Sequence, residues 1–220
     1  MSKGLQTYRA PDQAQERRGT VVLPSEARQQ SDAGLVEVCQ HGDLTAFDEL
    51  VRRYKDRVYN VVYRFLGHRE DALDVAQEVF VRAYRGIETF KGNANVYTWL
   101  YRIATNLARN RLRDAGRKGR NRGTSLEGLE TAAPGYAEVA ASTHRTPSTV
   151  AAERELDDLL QRCLEELPEP YRMAFVLRTF DDLSYEEIAE SMGCPSGTVK
   201  SRLNKARALL RDRLQELDVL

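Results

Sequence analysis

DLSYEEIAESMGCPSGTVKSRLNKARALLRDRL, residues 182–214, reads as two helices broken by one tight turn. Ser184 and Glu187 stand at the spacing of a capping box, in which each side chain serves the other's backbone donor. Leu183 and Ile188 flank that cap at the positions of a hydrophobic staple. Gly193 ends the short helix, and Cys194-Pro195 starts the next. At 100° per residue, Val199, Leu203, Ala206, Leu210 and Leu214 form one apolar stripe. Ser201 and Lys205 point away from it, with Lys200 and Arg202 beside them. A basic helix alone is most often a solvated face. Behind a capped helix and a glycine-containing turn it reads instead as the second helix of a helix-turn-helix, offering hydroxyl and cationic donors to a DNA groove.

Outward from this motif the pattern stays helical. Leu156, Leu159, Leu160, Cys163, Leu164 and Leu167 make one apolar face that Pro168 stops, and another helix covers Tyr171 to Phe180. From Asp114 to Pro147 the periodicity vanishes, and Gly, Ser, Thr, Ala and Pro dominate. A structureless stretch of that length inside one compact domain is unusual, so it reads as a linker. Before it come a helix from about Tyr97 to Arg113, a loop from Lys91 to Val96 and a helix from about Glu70 to Phe90. The first long helix is capped at Asp43 and stopped at Gly67. The expected fold is all-α: two small helical domains, 34–114 and 150–217, joined by a flexible linker over 115–149. Residues 1–33 are a polar, disordered extension.

Of the 220 residues, 41% are hydrophobic and 30% charged, the profile of a soluble globular chain. No apolar run is long enough to cross a bilayer and no signal-peptide core is present, so the expected setting is cytoplasmic, with no membrane insertion. Cys39, Cys163 and Cys194 lie far apart and the histidines are not at zinc-ligand spacing. They read as idle or buried thiols, with neither metal nor cofactor. The 33 basic and 33 acidic residues cancel in sum but not in place. Cations gather at Arg102–Arg122 and Lys200–Arg213, and it is the local field that a phosphate feels.

On the third helix Arg102, Asn106, Arg109 and Arg113 fall within about 60° of one another, opposite Leu100, Ala104 and Leu107. Cations for phosphates, an amide for base edges and the neighbouring Trp99 are what a single-strand reader needs. Spacing alone favours a core tryptophan beside an exposed charged face.

Two ordered blocks carry a resemblance. Asp74-x-x-Gln77-Glu78-Val79-Phe80, followed by Tyr97-Thr98-Trp99-Leu100-Tyr101-Arg102-Ile103-Ala104-Thr105-Asn106, resembles the σ2 domain of extracytoplasmic-function (ECF) sigma factors. Leu167-Pro168-Glu169, Leu183-Ser184-Tyr185-Glu186-Glu187-Ile188-Ala189 and Gly197-Thr198-Val199-Lys200-Ser201-Arg202-Leu203 resemble their σ4 domain, especially that of the envelope-stress group. The resemblance implies a non-enzymatic initiation factor that directs RNA polymerase to stress promoters. Asp74, Gln77 and Glu78 would dock on the clamp of the polymerase β′ subunit. Asn93, Asn95, Trp99, Arg102, Asn106 and Arg109 would read the −10 element and capture an unstacked base. Thr198, Lys200, Ser201, Arg202 and Lys205 would read the −35 element, with σ4 also touching the β flap. An anti-sigma factor is a further partner that the resemblance implies. The loop Lys91-Gly92-Asn93-Ala94-Asn95-Val96 departs from the pattern of many relatives, which carry an Asp and a Phe there. The runner-up function is a stand-alone helix-turn-helix regulator, which would leave the Trp99–Arg109 stripe without a task. A nucleic-acid enzyme is disfavoured because neither a phosphate-binding glycine loop nor an activated nucleophile motif is present.

Overall fold

The computed structural model describes residues 30–92, 95–121 and 147–219. Among them the regular elements are helical. The first is α1, Asp32–Gln40, capped by the Ser31 hydroxyl and buried through Leu35, Val36 and Cys39. Sequence reading did not find it, since a nine-residue segment is too short for its apolar positions to establish a period. Helix α2, Leu44–Leu66, begins and ends where the sequence indicates. The Asp43 carboxylate accepts the Thr45 amide at 2.8 Å, and Gly67 adopts the left-handed conformation at φ 79°. Leu50, Tyr54, Val58, Val61, Val62 and Phe65 of α2 fill the core of the first half.

Helix α3, Arg69–Gly86, ends earlier than the spacing predicts and tightens into a 3-10 turn at Ile87–Thr89. Helix α4, Val96–Asn121, runs on past Arg113. Its extension, DAGRKGRN, carries Ala115, Arg117, Lys118 and Arg120, good helix formers that need no apolar pattern. Just before the extension, Arg111 ties α4 to α3 by pairing with Asp71. The boundary at 114 therefore marks a change of composition and not the end of a helix.

The second half contains α5, Pro147–Glu166, α6, Glu169–Thr179, α7, Tyr185–Met192, and α8, Ser196–Glu216. The capping box of α7 is complete. Ser184 Oγ accepts the Glu187 amide at 3.2 Å, and Glu187 Oε2 accepts the Ser184 amide at 2.8 Å. Leu183 and Ile188 beside it are buried. Gly193 closes α7 at φ 62°, a conformation that costs glycine nothing. Ser184→Ala should remove about 1 kcal/mol, lowering the melting temperature by about 2–4 °C in a thermal melt followed by circular dichroism.

The halves pack against each other, α2 against α5 and α6, and α4 against α7. Arg172 of α6 is buried at this seam and donates to the Phe65 carbonyl at 2.6 Å, the Glu165 carbonyl at 2.5 Å and the Leu167 carbonyl at 3.2 Å. One guanidinium thus serves carbonyls left over at the C-terminal ends of α2 and α5. Cys39 and Cys163 are buried and Cys194 half-buried. Burial and the nearby Asp43 push the Cys39 thiol up to about 11, as befits an unreactive packing residue.

Candidate nucleic-acid and polymerase interfaces

Helix α8 separates its faces as the wheel requires. Val199, Leu203, Ala206 and Leu210 are buried, and Leu214 is half-buried. Lys200, Ser201 and Lys205 are exposed, with Thr198 and Arg202 partly covered. The Ser201 hydroxyl donates to the Thr198 carbonyl at 2.9 Å, which leaves its oxygen as an acceptor facing outward. Arg202 leans back, Nη1 lying 3.4 Å from Cys194 Sγ, and so braces the turn that aims the helix. No side chain caps the first turn of α8, a helix end suited to a phosphate.

On α4, Arg102, Asn106 and Arg113 are exposed along one stripe. Arg109, from the same stripe, is half-buried. Its Nε donates to Glu169 Oε1 at 2.7 Å and its Nη2 lies 3.8 Å from Met173 Sδ. Trp99 is half-buried, its ring 4.8 Å from that of Phe90. A side chain at Gly86 would come within 3.4 Å of the indole. Asn93 lies outside the described residues. Asn95 is exposed, and its Nδ2 donates to the Tyr97 hydroxyl at 3.1 Å and to Glu187 Oε1 at 3.3 Å. Beside it opens a cavity of about 300 Å³ lined by Val36, Gln40, Phe90, Lys91, Asn95 and Tyr97 among others. That volume sits at the small end of ligand pockets. Gln40 pins α1 to the rim by donating to the Ile87 carbonyl at 2.9 Å and the Phe90 carbonyl at 2.8 Å. Sequence reasoning missed Gln40, because a lone amide on an unrecognised helix gives no signal.

A third surface lies on α3. Asp74 and Gln77 are exposed and Glu78 half-exposed, with Glu78 accepting Arg82 Nε at 2.7 Å. Val81 and Tyr84 continue the stripe at helical spacing and remain 42% and 45% exposed, although the Tyr84 ring meets Phe47 of α2 edge-on at 5.2 Å. The wheel of α3 could have shown them, since both fall in register with Gln77.

The electrostatics of the seam are one-sided. The Tyr97 hydroxyl, together with the Ser184 amide and hydroxyl, holds the Glu187 carboxyl below the usual range despite partial burial. Burial pushes the Asp181 carboxyl up, against the Tyr101 hydroxyl and the Arg57 guanidinium, which favour its anion. Among the described residues no group of three or more His, Cys, Asp or Glu is arranged to hold a metal ion. Among the described residues no helix is long and apolar enough to cross a membrane.

Comparison with known proteins agrees with this geometry. The family model of sigma-70 region 2 matches residues 50–118, and that of sigma-70 region 4 matches residues 157–210. The chain is 41% identical over 195 residues to the ECF RNA polymerase sigma-E factor of Haemophilus influenzae, covering 87% of this chain and 99% of that one. Identity to the RNA polymerase sigma-H factor of Pseudomonas aeruginosa is 39% over 189 residues, covering 86% and 96%. The fold is similar to that of CnrH, solved in complex with the cytosolic domain of CnrY. The TM-score there is 0.63 at 24% identity, over 85% of this chain and 99% of that one. With both sigma-70 regions present in order and near-complete coverage of its relatives, this chain belongs to the ECF family of RNA polymerase sigma factors.

Proposed function

We propose that this chain, acting in the cytoplasm, carries core RNA polymerase to promoters and opens them without performing chemistry of its own. The observation that supports this best is the presence of three solvent-facing surfaces of different character on one chain. An acidic and apolar stripe lies on α3, a cationic and amide stripe on α4, and a cationic, hydroxyl-bearing helix start on α8. A stand-alone regulator needs only the last of these. Asp74, Gln77 and Glu78, with Val81 and Tyr84, bind the β′ clamp, and the unit over 150–217 also meets the β flap. Thr198, Lys200, Ser201, Arg202 and Lys205 read the −35 duplex. Asn93, Asn95, Trp99, Arg102, Asn106 and Arg109 read the −10 strand once it opens, and the cavity beside Asn95 receives an unstacked base. Flipping a base costs a few kcal/mol, so a receiving pocket is needed. The segment between α4 and α5, 122–146, is the linker, and an anti-sigma protein is the expected regulator.

Two outcomes follow. Glu78→Arg inverts a charge aimed at the polymerase and should weaken holoenzyme assembly about tenfold in a titration against core enzyme, with helicity unchanged. Unaltered affinity would remove α3 from the interface. Asn106→Ala, at an exposed position, should leave the melting temperature within about 1 °C of wild type. It should also reduce permanganate reactivity of −10 thymines on a promoter that the wild-type holoenzyme opens. Full thymine reactivity would remove Asn106 from the opening step.

A further inference from the structure

Ala108 is the last fully buried residue described on α4, yet the helix continues to Asn121, about 20 Å further at 1.5 Å per residue. Leu112 is half-buried, and every other residue from Asn110 to Arg117 is exposed. This stem gains little from core packing, and it contains Gly116 and Gly119, poor helix residues. Its charge is lopsided. Between Arg109 and Asn121 stand six cations, at 109, 111, 113, 117, 118 and 120, and one carboxylate, Asp114. Arg109 is taken by Glu169 and Arg111 by Asp71. Arg113 has no ion-pair partner among the described residues. Arg117 lies 4.0 Å from Asp114, a weak pair with both side chains mostly in solvent.

On the wheel, Arg113, Gly116 and Arg117 prolong the stripe of Arg102, Asn106 and Arg109, all six within about 100° of one another. Gly116 makes a notch in that stripe. A Cβ placed there would meet nothing within 4 Å. The groove over it has a volume of about 340 Å³ and is lined by Leu112, Arg113, Gly116, Arg117 and Glu169. The carboxylate in this lining is already answered, since Arg109 Nε donates to Glu169 Oε1 at 2.7 Å. A glycine lets a ligand's backbone come close, and a guanidinium on either side of it suits the oxygens of a phosphate. No aromatic residue occurs between Arg102 and Asn121. Single strands are held by stacking on aromatic faces, whereas a duplex keeps its bases stacked inside and offers its phosphates.

We propose that Arg113, Gly116 and Arg117 form a phosphate seat for the duplex that leaves the −10 element on its −35 side, a contact that is independent of sequence. From Asn106 to Arg117 the helix rises about 17 Å, the length of about five base pairs. The chain leads from this stem to the −35 reader on α8, so the stem follows the duplex between the two elements. Its contact fixes where the −10 strand enters the reader without choosing the bases. This inference rests on the promoter-reading function proposed above.

The test uses holoenzyme assembled from core polymerase and the full chain, and a promoter that the wild-type holoenzyme opens. Equilibrium binding would be measured across a salt series for wild type, Arg113→Gln/Arg117→Gln and Gly116→Leu. The first variant removes the cations. The second fills the notch while favouring the helix, so its loss of binding cannot come from unfolding of the stem. The double variant should bind about tenfold more weakly near 0.15 M salt, equally for promoters with shuffled spacers, and its salt slope should fall by about two. Gly116→Leu should also weaken binding severalfold. Neutral methylphosphonates at the five base pairs upstream of −10 should weaken wild type but leave the double variant within about twofold. An unchanged salt slope, or methylphosphonates that weaken wild type and the double variant alike, would overturn the seat. Weaker assembly with core enzyme, with promoter binding by the assembled holoenzyme unchanged, would overturn it too and assign the stem to a protein contact. A changed ranking of spacer sequences would overturn the phosphate reading in favour of base contacts. If wild type opens promoters and methylphosphonates have no effect on it, the seat alone fails. If wild type opens no promoter with core enzyme, the promoter-reading function fails and the seat falls with it.

Discussion

Alanine at Lys200, Ser201, Arg202 or Lys205 is expected to cost about 1–3 kcal/mol at the preferred −35 sequence for each side chain that contacts a base edge, or roughly ten- to a hundredfold in affinity. The four should not behave alike. Lys200 and Lys205 are exposed, whereas Arg202 also braces the turn through Cys194. A residue that reads a base changes the ranking of promoters. A residue that only holds phosphate weakens all sites together and flattens the salt dependence by about one charge. Arg202→Ala should do some of both, because losing the brace re-aims the start of α8. Sequencing transcripts from a randomised −35 library would separate these behaviours. Profiles from all four variants that match wild type would show that this helix face does not read the groove.

Phe65→Ala should have the largest effect on stability, about 3–5 kcal/mol, which corresponds to a fall in melting temperature of roughly 6–20 °C. Phe65 is fully buried in the core of the first half, one turn beyond Val61 and Val62 on the same face of α2. Removing the ring leaves a cavity that neighbouring helices cannot easily refill. The residue matters twice, since its carbonyl accepts the buried Arg172 guanidinium at 2.6 Å. If α2 shifts to fill the cavity, that acceptor moves and the seam with α6 loosens as well. A calorimetric melt would report the effect directly. A fall of less than about 3 °C would mean that the α2 core is not packed as described.

Much of this architecture was legible because its signals are local. Asp43 and Gly67 bound α2, and Ser184 with Glu187 starts α7, through bonds made within a few residues of each other. The stripes on α4 and α8 follow from helical period alone. What escaped depends on contacts distant in sequence. The stem of α4 continues to Asn121 although its apolar pattern stops near Arg113. Asp181 reads as a loop residue, yet it is buried against Tyr101 and Arg57. Glu187 announces itself as a cap, and nothing in its neighbourhood shows that the same carboxylate also reaches Asn95 and Tyr97, some ninety residues earlier in the chain. Arg109 is placed on the polar stripe of α4 by the wheel, but only the fold reveals that Glu169 engages it.

The central claim, that this chain gives promoter specificity to RNA polymerase, is tested most directly by transcription in vitro from a promoter library. Core enzyme would be used with and without the purified protein, alongside duplex binding by the protein alone. The expected result is a set of transcripts that appears only when both are present, starting downstream of a shared pair of −35 and −10 sequences, together with weak binding of the same duplexes by the protein on its own. Tight, sequence-specific duplex binding by the protein alone, with no new transcripts when core enzyme is added, would contradict it.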